Sequence, residues 1–164
     1  MTIWTVVSTE VLEIAQELIH EYHPSLIEAR VAFVFRDKAS KSGNKMILGK
    51  ASKISDKLKV HLDYDFLIWL AEEEYSEMLP EQRRALIDHA LSHCSFVDQI
   101  PEMRHHDIEE FKGIIERYGF WNISLLEIKP ALTNALQMKM PIEIPERGAV
   151  IAARPDVMAE VEED

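Results

Sequence analysis

Two histidines four residues apart, His89 and His93, lie in the run Ala85-Leu86-Ile87-Asp88-His89-Ala90-Leu91-Ser92-His93-Cys94, and His106 follows after twelve intervening residues. On an α-helix four residues turn through about 400°, so the two side chains project in nearly the same direction, one turn apart, and can share one ion. A third imidazole and an open position complete the usual ligand set of a catalytic zinc. The pair alone says little, because seven histidines in 164 residues produce about 0.3 such pairs by chance. His105 competes with His106 for the third place. Hydrolysis at such a centre also needs a general base, which the HExxH pattern puts directly after the first histidine. Here that position is Ala90.

The elements that must position these residues can be read from periodicity. Pro80 suits the first turn of the helix carrying His89 and His93, and Glu81 complements its N-terminal dipole. Upstream, Ser8 or Thr9 caps a helix with Val11, Leu12, Ala15, Leu18, Ile19 and Tyr22 on one stripe, and His23-Pro24 stops it. His20 and His23 fit a helix end better than a second metal pair. Strands are expected at Val31–Phe35, at Met46–Ile54 and, from its period-two alternation, at Lys57–Leu62, giving a three-stranded sheet. Gly49 within a strand marks a bulge or a close backbone approach, the bulge being the simpler reading. Asp65 caps an expected helix from Phe66 through about Met78 with an acidic outer face. Further helices are expected from about His106 to Tyr118, stopped by Gly119, and from Ser124, bent or broken at Pro130 and fading near Met138. The class is α+β, with one domain over residues 1–140 and a mobile acidic tail over 141–164.

Composition bounds the function. Eighteen basic against 29 acidic side chains give a net charge of −11, which disfavours nucleic acid as a partner. The local basic stretch Arg36–Lys45 reads as a solvated hairpin loop. No apolar run approaches the 18 to 20 or so residues needed to cross a bilayer. The N-terminus has no basic region ahead of an apolar stretch, so a cytoplasmic address is expected. Cys94 is the single cysteine. It lies one helical step past a ligand position and points about 100° away from it, as a buried structural thiol would.

The strings Asp88-His89-Ala90-Leu91-Ser92-His93-Cys94 and His106-Asp107-Ile108-Glu109-Glu110-Phe111 resemble those of the phage metallopeptidase family, a small zincin group related in layout to SprT-like peptidases. The resemblance covers roughly residues 5 to 120. It implies a zincin-like fold, Zn2+ held by His89, His93 and His106 with a water as fourth ligand, and a protein or peptide substrate in the cytoplasm of a bacterial host. It also favours His106 over His105 and implies a glutamate where Ala90 stands. Loss of a positioned general base typically removes about 10² to 10⁴ in rate, without touching a ligand. An intact trio beside a missing base leaves two accounts, an enzyme inactivated at one residue or a non-catalytic, zinc-stabilised module that binds a host protein. Glu109 and Glu110, three and four residues after His106, are candidates to hydrogen-bond a ligand imidazole from behind or simply to face solvent near a helix start. Asp107 reads as a helix-start residue and Tyr118 as a core residue.

Overall fold

The computed structural model describes residues 1–137, so the expected acidic tail at 141–164 lies outside the described residues. The chain divides into two compact units, Met1–His106 and a second beginning at Asp107. In order, the first unit contains β1 (Trp4–Val6), α1 (Thr9–Tyr22), β2 (Val31–Arg36), β3 (Ser40–Ser42), β4 (Lys45–Ile47), β5 (Gly49–Lys53), α2 (Asp56–Lys59), β6 (Phe66–Ala71), α3 (Glu72–Glu77), α4 (Pro80–Ser92), β7 (Cys94–Val97) and β8 (Ile100–Met103). The second contains α5 (Lys112–Tyr118) and α6 (Ile123–Gln137). The class is α+β, as expected.

The main sheet has four strands in the order β1-β2-β6-β5, not three. Strands β2 and β6 run parallel and the outer pairs antiparallel. Alternation along β2 turns Phe33 and Phe35 inward, where they join Phe66, Ile68 and Leu70 of β6. Val11, Ala15 and Leu18 of α1 and Ile87, Ala90 and Leu91 of α4 belong to the same core. Both helices therefore spend their apolar stripes on it, and burial of each large side chain contributes roughly 1.5 to 3 kcal/mol. Across the helices, Arg84 reaches Glu17 at 2.8 Å and Glu21 at 2.9 Å. His23, just past the end of α1, donates from Nε2 to Asp88 at 2.6 Å. This bond fixes the turn of α4 that carries His89 and leaves His23 outside any metal cluster among the described residues.

The structure corrects the reading of residues 57–71. Phe66–Ala71, expected as the start of a helix, is the central strand β6, and only Glu72–Glu77 is helical. Six consecutive apolar residues suit a strand flanked on both sides, and periodicity cannot tell such a run from a buried helix. Residues 57–62, expected as the third strand, instead contain the end of the single turn α2 and the turn after it, with the Leu58 and Lys59 N–H groups bonded to the Ser55 carbonyl. Their alternation has no buried face, since Leu58, Val60 and Leu62 are all exposed. The expected strand 46–54 divides at Leu48 into β4, which pairs with β3, and β5, which joins the main sheet.

Gly49 marks a close approach and not a bulge. The β5–β6 register starts at Gly49, opposite Leu70, and runs unbroken to Lys53, and a Cβ at Gly49 would lie 3.0 Å from the Trp69 carbonyl oxygen and 3.1 Å from Leu70.

In the second unit the helix expected from His106 begins only at Lys112. The next helix is capped by Asn122, whose Oδ1 accepts from the Leu125 N–H at 2.9 Å, and it continues through Pro130 to Gln137. Proline there removes one backbone hydrogen bond without ending the helix. No helix among the described residues is long and apolar enough to cross a membrane.

Candidate metal centre

The trio is assembled by one helix end and one hairpin. α4 places His89 in its last turn, and His93 is the residue that caps it. The chain then turns back through β7 and β8, in the register Cys94↔Met103 to Val97↔Ile100. Asp98 and Gln99 at the tip adopt φ of 52° and 61°, the left-handed pair that lets a two-residue hairpin match strand twist. The twelve residues between His93 and His106 are thus a hairpin and its exit, which return the chain beside the helix end from which it left.

Two bonds beyond the last strand pair lock this return. The Arg104 N–H donates to the His93 carbonyl at 2.7 Å, and His93 Nδ1 lies 2.7 Å from the Arg104 carbonyl. A carbonyl can only accept, so Nδ1 carries the proton and Nε2 presents its lone pair. A backbone oxygen thereby sets the tautomer of a candidate ligand, a role that no residue type in the sequence announces.

His89, His93 and His106 come together, with one ligand nitrogen from each lying within 4.8 Å of the others. The His89 and His106 Nε2 atoms are 3.4 Å apart. Tetrahedral coordination with bonds of 2.0 to 2.1 Å puts donor pairs about 3.3 to 3.4 Å apart, so that pair already has the spacing a metal needs. Partial desolvation, followed by the neighbouring His93 and His106, holds the His89 imidazole below its ordinary pKa and outweighs the opposing pull of Asp88. The neutral form is the one that binds metal. This donor set fits a divalent ion with nitrogen ligands.

The neighbours divide by position. His105 is exposed beside the trio and is not part of it. Cys94 is buried, its Sγ 3.8 Å from the Ala90 carbonyl, and burial pushes its thiol up to about 12. It is a packed thiol and not a thiolate ligand. Glu110 belongs to the second unit, where its carboxylate accepts from the Trp121 indole N–H at 3.1 Å and from the Phe111 N–H at 2.8 Å. Glu109 is exposed in the same segment.

The trio stands at one side of a groove of about 600 Å³ in the first unit, whose other wall is β4 and β5. Ala90 lines this groove although only 2% of its surface is exposed. Leu86, Met46, Ile47 and Leu48 make the lining largely apolar, and no described residue of it is a carboxylate.

Residues 4–135 match the family model described as "Putative phage metallopeptidase". The chain belongs to this phage metallopeptidase family. The span matched by the phage metallopeptidase model runs from β1 into α6 and includes all three histidines. No curated protein and no solved structure matches the chain.

Proposed function

We propose that this chain is a zinc-binding domain of the metallopeptidase type, built to hold a peptide in its groove and impaired in hydrolysis because Ala90 occupies the general-base position. The observation that carries the proposal is the histidine trio bordering a groove that a peptide could enter and that has no carboxylate in its described lining.

Three imidazole nitrogens with a fourth position open suit zinc better than the harder cations, which take oxygen donors. A zinc ion held there would supply Lewis acidity toward a peptide carbonyl and toward water. The protein's own groups do the rest. The Arg104 carbonyl fixes the tautomer of His93, and β5, at the edge of the main sheet, offers backbone groups to an extended peptide. Ala90 can neither take up nor deliver a proton. Hydrolysis should therefore fall short of a base-equipped site by about 10² to 10⁴. The same deficit favours a second reading, a non-catalytic module of phage origin that uses zinc for stability and the groove to bind a host protein. Both readings place the protein in the host cytoplasm.

Zinc-loaded Ala90→Glu protein, assayed beside the parent on unfolded protein substrates, separates the two. A gain of about 10²-fold or more, abolished by His89→Ala, supports the peptidase lineage of the site. No gain on any substrate, with zinc bound, leaves the binding module.

A further inference from the structure

The wall of the groove opposite the histidines carries the reverse of the chain's overall charge. Residues 36–59 contain eight basic side chains and two acidic ones, a net of +6, in a chain whose total is −11. This segment runs from the last residue of β2 through β3, β4 and β5 to α2. Two of its lysines, Lys45 and Lys50, line the groove and are exposed. Within the same segment Lys38 pairs with Glu73 and Lys59 with Asp65. Neither the Lys45 nor the Lys50 ammonium group makes a hydrogen bond or ion pair with a described residue, and no carboxylate in the described lining offsets them.

We propose that the groove selects a peptide segment carrying aspartate or glutamate beside an apolar side chain, the acidic group meeting Lys45 and Lys50 and the apolar group the Met46–Leu48 wall. The proposal rests on the reading of the groove as a peptide site and names its substrate class. Like-charged lysines on one wall raise the local potential, and a low-dielectric lining focuses it on whatever enters. An acidic side chain relieves that field, and a basic one adds to it. A nucleic acid would meet the same lysines, but it must also approach a molecule of strong net negative charge, whose α3 carries Glu72, Glu73, Glu74 and Glu77. A short acidic peptide engages the groove without bringing a long phosphate backbone against those faces.

The test uses the full chain loaded with one equivalent of zinc, and fluorescence anisotropy of three labelled peptides that differ only in whether Glu, Gln or Lys flanks an apolar core. A single-stranded oligonucleotide serves as a fourth probe. The Glu peptide should bind about tenfold tighter than the Gln peptide, the Lys peptide more weakly than either, and the preference should shrink as salt rises. Lys45→Glu/Lys50→Glu should reverse the order, and Lys45→Gln/Lys50→Gln should abolish it; circular dichroism verifies that both variants fold. Equal binding of the Glu and Gln peptides, an unchanged order in the charge-reversed variant, or no binding of the Glu peptide overturns the proposal. Tighter binding of the oligonucleotide than of the Glu peptide overturns it in favour of nucleic acid. Zinc content is measured on the same samples. Absent zinc with the Glu preference intact defeats the metallopeptidase reading alone, and bound zinc without the preference defeats this one alone.

Discussion

His93 and Arg104 exchange two hydrogen bonds, each of 2.7 Å, one between their backbones and one from the His93 imidazole to the Arg104 carbonyl. This pair closes the base of the β7–β8 hairpin and leaves only Arg104 and His105 between the end of β8 at Met103 and His106. Arg104→Pro removes the N–H and one of the two bonds. Zinc affinity, measured by chelator competition, should fall about 10- to 100-fold, while the four-stranded core stays folded by circular dichroism. Unchanged affinity would mean that the hairpin base does not organise the ligands.

Asp65 gives the acid limb of the stability curve. Burial alone would raise its pKa, but the hydrogen bond from Lys59 at 2.8 Å, the Arg30 backbone N–H at 2.9 Å and the charges of both residues together hold the carboxyl below its ordinary value. A depressed folded-state value means that Asp65 contributes its full stabilisation above the unfolded value of about 3.9 and loses it as pH falls through the folded one. Asp65→Asn should cost about 1 to 3 kcal/mol at pH 7, and the difference from the parent should narrow below about pH 4. Urea melts from pH 3 to 7 measure both. A difference constant with pH would remove the charged form from the explanation.

Gly49 tests the packing of the groove wall. A methyl group there meets the Trp69 carbonyl oxygen at 3.0 Å, so Gly49→Ala should destabilise the fold by about 1 to 3 kcal/mol. The same change at Gly43, which has nothing within 4 Å but sits at φ +58°, should cost about 1 kcal/mol from backbone strain alone. Thermal melts of the two variants rank them, and equal effects would contradict the close approach at Gly49.

Particular residues show why some of this was legible in the sequence. α1 buries one stripe, so spacing revealed it; β2 showed as a short β-branched and aromatic run and α4 through Pro80 and Glu81 at its start, and the i, i+4 histidines needed only the helix to become a pair. β6 escaped because Phe66–Ala71 is apolar throughout and carries no period. The β7–β8 hairpin escaped for two reasons: its tip, Asp98-Gln99, reaches positive φ without a glycine, and Pro101 lies inside β8, where proline argues against a strand. With the hairpin hidden, the spacing from His93 to His106 could be counted but not turned into geometry. Lys45 looked like a loop charge and Lys50 like an ordinary strand residue until the fold set both against the groove.

The account stands most directly on metal content. Elemental analysis of the purified full chain after zinc loading and removal of excess metal should give one equivalent of zinc per chain for the parent and for Ala90→Glu, with the equivalent lost in His89→Ala. Less than a few tenths of an equivalent in the parent, or an equal content in His89→Ala, would contradict it.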